Sequence, residues 1–336
     1  MRRVLLVNME EAPENLHLEM AFVRAAAGLA GVELDVVHSF RYEYDFIPRV
    51  VNAKGFRMSA GAFARSGGAG RGYDAAVFLD VPKRRKPLVP WLAVLARGAF
   101  ARRALVCNHL LDQPFPAESG AAMRLFDLAF LLRHDDAAAL APFFREGALR
   151  SHDYALDCAY YSPDGDGPDE GYVFSAGTTY RDYALLCEAL AETGLKARIF
   201  ADGEDADALA EREGVVFFAF SRNLDRIKPS IARARLVAVP IRSEAVNPCA
   251  GLTVTLMGMA MGKPVVTRDT PGMRRYIRSG VNGMLYEGGS AQSLAGCLKE
   301  ACGRAGMGEL SRRAALSLAD MDRFAVDVLR EVLSLA

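Results

Sequence analysis

The residues best placed to do chemistry are arginines and glycines close to predicted strand ends and helix starts. Gly251-Leu252-Thr253-Val254-Thr255 opens an apolar helix inside the longest uncharged run, Ala245 to Gly262. A glycine turn entering a helix points free backbone N–H groups and the positive end of the helix at an anion. Ala250, Gly251, Leu252 and Thr253 are the candidates for such a cradle. Arg181 and Arg242 lie on loops after predicted strands and can add bidentate contacts to phosphate oxygens. Thr178, in the loop that carries Arg181, joins them. In the first half His109 is the catalytic candidate. It follows the strand Ala104–Cys107, where a side chain at the carboxyl end faces a ligand crevice. Glu10 and Glu11 follow the first strand and read either as contacts to a ligand hydroxyl or as solvated loop charges. His17, His38, His134 and His152 have no metal-ligand spacing, and Asp164-Gly165-Asp166 sits in linker-like sequence, so no metal site is expected.

These residues need strands that end together. Arg3–Val7, Val32–His38, Ala75–Leu79, Ala104–Cys107 and Leu125–Leu132 read as buried strands, with a helix over Glu14–Leu29. From Phe40 to Tyr73 the pattern disappears into Gly, Arg and aromatic residues, the mark of a functional loop or a mobile segment. Ser162-Pro163-Asp164-Gly165-Asp166-Gly167-Pro168-Asp169 reads as a linker. Beyond it the alternation restarts with strands Tyr172–Ser175, Lys196–Phe200, Val215–Phe218, Leu236–Pro240 and Pro264–Thr267. Helices are expected over Arg181–Glu192, Asp205–Glu213, Pro229–Ala234, Thr253–Met261, Leu310–Leu318 and Arg323–Leu335. Strands alternating with helices predict parallel sheets covered on both faces.

The 336 residues fit two domains at about 100–200 residues each. A hydrophobic fraction of 51% with 24% charged residues excludes a disordered or fibrous chain. Lys plus Arg and Asp plus Glu are both 41, and no nucleic-acid motif is present, so no nucleic-acid partner is expected. Six scattered cysteines without a C-x-x-C pair, and an opening apolar run too short for a signal peptide, lead us to expect a reduced, cytoplasmic protein. Lys83-Arg84-Arg85-Lys86 precedes the apolar stretch Pro87 to Leu95, which contains Trp91. That segment reads as a solvated basic edge beside a buried helix, or as a peripheral contact with an anionic membrane at its inner face.

Gly251 to Thr267, with Pro271-Gly272, Tyr276 and Gly280-Val281-Asn282-Gly283-Met284-Leu285, resembles the donor-nucleotide region of GT-B glycosyltransferases of the family 4 type. Ala155 to Pro163 is similar to that family's linker, and Ser175 to Tyr183 to its Gly-Arg phosphate loop. The resemblance covers roughly residues 155–300. It implies an α/β protein with two Rossmann-like, doubly wound parallel-sheet domains facing a cleft. Residues 1–155 would bind the acceptor and 156–318 the nucleotide-sugar donor, with a last helix in 319–336 crossing back to the first domain. The implied reaction moves a sugar from a nucleotide sugar to an unknown acceptor with retention and without a metal or other cofactor, the donor phosphate assisting acceptor deprotonation.

One departure stands out. The family usually carries two glutamates eight residues apart, the second pairing with ribose hydroxyls. A gapless alignment on Met259 to Pro264 puts Cys249 and Met257 at those places, and a thioether is a weak acceptor. Met257 therefore marks a donor held in another way, or a catalytically degenerate GT-B subunit acting through a partner.

Overall fold

The computed structural model describes residues 1–9, 12–38, 57–59, 63, 72–82, 85–97, 99–108, 117–133, 137–163, 167–202, 213–220, 224–244, 247 and 249–334. They form two compact units, Met1–Asp157 with Met321–Ala336, and Cys158–Asp320.

The first unit is built on β1 (Arg2–Asn8), β2 (Val32–His38), β3 (Arg57–Ser59), β4 (Tyr73–Leu79), β5 (Phe100–Cys107), β6 (Leu128–Leu131) and β7 (Leu149–Ser151). They lie in the order β3-β2-β1-β4-β5-β6-β7, all parallel. Val4 to Val7 are fully buried without alternation, as a strand covered on both faces requires. The covering helices include α1 (Pro13–Gly28), α2 (Arg85–Arg97), α3 (Ala117–Met123) and α4 (Ala137–Leu140).

Two expectations change here. The patternless stretch after Phe40 contains the edge strand β3, and the strand expected over Leu125–Leu132 shrinks to β6, with Leu125 exposed in the preceding turn. Trp91 is fully buried, with its ring 5.5 Å from Phe78 and 5.8 Å from Phe126. It anchors the core of this unit and is not available to a membrane surface; Lys83 and Arg84 lie outside the described residues.

The second unit carries β8 (Val173–Ala176), β9 (Ala197–Ala201), β10 (Val215–Ala219), β11 (Leu236–Val239), β12 (Val265–Arg268) and β13 (Met284–Tyr286). Their order is β10-β9-β8-β11-β12-β13, again all parallel. The helices are α5 (Tyr183–Thr193), α6 (Ile227–Arg233), α7 (Leu252–Ala260), α8 (Pro271–Arg274), α9 (Ala291–Gly303) and α10 (Met307–Leu318). Asp182 starts α5 by accepting a hydrogen bond from Leu185 N–H, and Gly194 ends it in the left-handed region. The helix expected over Asp205–Glu213 falls on residues outside the described set, except Glu213 in a turn. Gly258 lets α7 lie directly on the sheet, because a Cβ there would stand 2.9 Å from Val237 and 3.0 Å from Val265.

The last helix, α11 (Met321–Leu333), belongs to the first unit and packs on α1. Its buried stripe of Phe324, Ala325, Val328, Leu329 and Val332 repeats at helical spacing.

Candidate anion-binding site

In the second unit the strand order reverses between β8 and β11, and open α/β sheets bind ligands at the carboxyl ends of such neighbours. The two loops that leave these ends are joined by their own backbones. Arg181 and Ile241 form an antiparallel bridge, Arg242 N–H donates to Tyr180 O at 3.0 Å, and Asp182 N–H donates to Pro240 O at 3.2 Å. Two segments far apart in sequence thus become one surface carrying Arg181 and Arg242.

Arg181 is only 6% exposed. Its Nε donates to Ala176 O at 3.0 Å and its Nη1 to Thr179 O at 2.7 Å, neutral carbonyls at the end of β8 and in its own loop. Among the described residues no carboxylate pairs with it and Nη2 has no hydrogen-bond partner. Burial pushes its pKa down, opposed only by the nearby phenols of Tyr183 and Tyr286. A cation desolvated to this degree without a counter-charge is unfavourable unless an anion arrives. Gly177, at φ +111°, makes room for it, since a Cβ there would stand 2.6 Å from Nη2. Tyr180 is held at φ +53°, a conformation rare outside glycine and found at ligand-binding loops. Thr178 is exposed in the same loop.

Arg242 continues the pattern, its Nε donating to the Arg181 carbonyl at 2.8 Å. Arg268, at the end of β12, donates from Nη1 to the Arg242 carbonyl at 2.6 Å. Sequence reasoning passed over Arg268 because the strand was expected to stop at Thr267. The signal was a basic residue at a strand's carboxyl end, the same feature that singled out Arg181 and Arg242. Ile241 N–H donates to the Tyr286 hydroxyl at 3.1 Å, and burial pushes the Tyr286 pKa up to about 12. Glu244 is an exposed neighbour. Its own backbone N–H, the Ser243 hydroxyl and the charges of Arg242 and Arg268 hold its carboxyl below the usual range. It also falls outside the eight-residue spacing considered for Cys249 and Met257.

Helix α7 starts beside this surface. Gly251 is at φ +82°, and a Cβ there would stand 2.7 Å from Val239 and 3.0 Å from Ile241, so only glycine lets the helix begin against the end of β11. No side chain caps α7. The proposed cradle narrows, however. Ala250 N–H already donates to Asn247 O at 3.0 Å and Leu252 N–H to Cys249 O at 3.1 Å, and both side chains are buried. Those two residues shape the turn and do not offer these donors to a ligand. Thr253 and Met257 are half-buried, whereas Met259 and Met261 are core.

The first-unit candidates His109, Glu10 and Glu11 lie outside the described residues, as does His134. His17 is buried against Asp157 at 2.9 Å, and His152 stacks near Phe130 and Phe324, so both are part of the packing. Among the described residues no cluster of three His, Cys, Asp or Glu is placed to hold a metal, and no helix is long and apolar enough to cross a membrane.

A fold of two Rossmann-like units with a cationic switch-point site is the class this geometry defines. Residues 176–303 match the family model described as Glycosyl transferases group 1. No curated protein matches the sequence. Among solved structures the chain is similar to the Anabaena protein HepE in complex with UDP and glucose, at 16% identity and TM-score 0.66, with 100% of each chain covered. It is similar to sucrose-phosphate synthase from Thermosynechococcus elongatus at 13% identity and TM-score 0.68, with 100% of each covered. A glycosyltransferase from Rickettsia africae matches at 11% identity and TM-score 0.68, covering 100% of this chain and 99% of that one. At such identities the structures establish the fold, which is GT-B. The recognition of a GT-B protein of the glycosyl transferases group 1 type is borne out by the family match over residues 176–303 and, as to fold, over the whole chain.

Proposed function

We propose that this protein transfers a sugar from a nucleotide-activated donor to an acceptor hydroxyl, with the second unit holding the donor. The observation that carries the reading is Arg181, a buried arginine without a carboxylate partner among the described residues, at the switch point of a sheet whose sequence matches a glycosyltransferase family. A sugar–nucleotide diphosphate supplies the missing anion. As the glycosidic bond to the donor breaks, negative charge grows on the leaving nucleoside diphosphate, and donors aimed there stabilise the transition state more than the ground state. Arg181, Arg242 and the start of α7 do this work as fixed cations and dipoles, in the role that a divalent ion plays elsewhere. We further propose that transfer proceeds with retention and needs no metal, with the acceptor bound by the first unit.

HepE, similar in fold, has been seen with UDP and glucose, which makes uridine nucleotides the first donors to try. The test is calorimetric titration of the full chain with UDP, followed by incubation with a panel of nucleotide sugars and hydroxyl acceptors in the presence of a chelator. Saturable UDP binding with metal-independent release of UDP is expected. Absence of both nucleotide binding and turnover would sink the reading. Half-buried Met257 favours a second reading, a degenerate subunit that binds donor without turnover, and nucleotide binding with no sugar transfer to any acceptor is its signature.

A further inference from the structure

We infer that Arg268 is a third cation of the diphosphate site, which adds charge to it and positions Arg242; the inference rests on the donor reading above. Its first support is topological. β8, β11 and β12 are consecutive neighbours in the sheet; Arg181 and Arg242 lie in the loops after the first two, and Arg268 ends the third. The second is a relay of hydrogen bonds. Arg268 Nη1 holds the Arg242 carbonyl at 2.6 Å, and Arg242 Nε holds the Arg181 carbonyl at 2.8 Å. Each guanidinium in this relay donates to a neutral backbone oxygen, so these bonds fix geometry without cancelling charge.

The third support is local. Arg268 Nε is buried and has no hydrogen-bond partner, and no carboxylate pairs with Arg268 among the described residues. Gly288, in the turn after β13, clears the space for this group, because a Cβ there would collide with Arg268 Nε and stand 3.0 Å from Nη2. The same device, a glycine vacating the volume of a guanidinium, appears at Gly177 beneath Arg181. Two loops have therefore given up a side chain to admit an arginine beside the same crevice. Glu244, a carboxylate that feels both Arg242 and Arg268, is fully exposed and screened by solvent, so it does little to neutralise Arg268. Such an array suits a ligand with charge on two adjacent phosphates better than a monophosphate or a neutral nucleoside.

The test is calorimetry on the full chain with UDP, uridine and inorganic pyrophosphate as probes, over a range of salt concentrations. Arg268→Gln can still donate one hydrogen bond but carries no charge. It is expected to weaken UDP and pyrophosphate binding at least tenfold, to flatten the salt dependence of UDP binding, and to leave uridine binding unchanged. Arg268→Lys is expected to recover part of the loss, because charge returns without the planar fork. If Arg268→Gln binds UDP as the parent does, Arg268 is only a loop staple and the inference falls while the donor reading stands. If the parent binds neither UDP nor pyrophosphate, the donor reading falls first. Should Arg268→Gln fail to fold, Gly288→Ala decides: it keeps every charge but displaces the guanidinium. Weaker UDP binding by that variant supports the inference, and unchanged affinity overturns it.

Discussion

Arg181 carries the opposing demands of this site in one side chain. Burial costs it solvation, two backbone carbonyls return part of that, and Nη2 remains for a ligand. Arg181→Ala is expected to weaken UDP binding by about 1.5–3 kcal/mol, the range for hydrogen bonds to a charged group. Arg181→Lys should recover only part of this, since an ammonium cannot make the two carbonyl bonds and face a phosphate together. Calorimetry checks both, and equal affinity in Arg181→Ala and the parent would remove Arg181 from the site. At this scale the sequence was partly legible. Arg181 and Arg242 were visible as basic residues after strands. The commitment of Ala250 and Leu252 N–H groups to turn carbonyls was not visible, because a turn's hydrogen bonds depend on which carbonyls come round to meet it. Trp91 fits the buried-helix alternative, and its spacing already said so. Leu88, Trp91, Val94 and Leu95 already stand at helical spacing, and that stripe is the buried face. The neighbouring charges drew attention to a membrane surface the helix does not present with Trp91.

Among the elements, β11 and its loop decide whether the site exists. Gly251 sets the start of α7 against Val239 and Ile241, while the Tyr286 hydroxyl at the end of β13 accepts from Ile241 N–H and holds the loop from the other side. Tyr286→Phe leaves that buried N–H without its partner, so a loss of about 1–3 kcal/mol at neutral pH is expected. The pH dependence has a definite sign. Burial raises the Tyr286 pKa to about 12 from an ordinary 10.0, so the folded protein keeps the phenol proton more tightly than the unfolded chain. The stability this contributes is complete below about pH 10 and is lost as pH rises towards 12. The stability gap between parent and Tyr286→Phe should therefore narrow over that interval, by up to about 2–3 kcal/mol for two pKa units. Denaturant titrations at pH 8, 10 and 11.5 measure it, and a gap that widens with pH would mean the phenol is not buried as described. Strand positions were well read from apolar runs such as Val32–His38, which matches β2. Strands β3, β7 and β13 were missed because each has only three residues, too few to show a period.

For the molecule as a whole, the notable point is how the chain leaves the first unit and returns to it. Asp157 is the last residue before the second unit and Met321 the first after it. The two crossings lie side by side, with Met321 N–H donating to Leu156 O at 3.0 Å. Arg24 on α1 ties both. It donates from Nη2 to Asp157 at 2.7 Å and to Asp322 at 2.6 Å, while His17 meets the other Asp157 oxygen at 2.9 Å. Asp157 is 1% exposed, so removing Arg24 takes a guanidinium away from a buried carboxylate. Losing one member of a buried pair costs about 3–5 kcal/mol, and the partial exposure of Arg24 argues for the lower end, about 3 kcal/mol. The loss should also be local. Helix α11 packs on α1 and buries Phe324, Val328 and Leu329, and without the clamp it should open before the sheet does. Hydrogen exchange on Arg24→Ala is expected to show lost protection in α1 and α11 and parental protection in α5, α7 and α9 of the second unit. Arg24→Ala with Asp157→Asn should be less damaged than Arg24→Ala alone, because the buried orphaned charge is gone although the hydrogen bonds from Arg24 to Asp157 and Asp322 remain lost. If the double variant is no more stable than the single one, the apolar face of α11 holds the crossing by itself, and the ion pairs at Asp157 follow the packing instead of directing it.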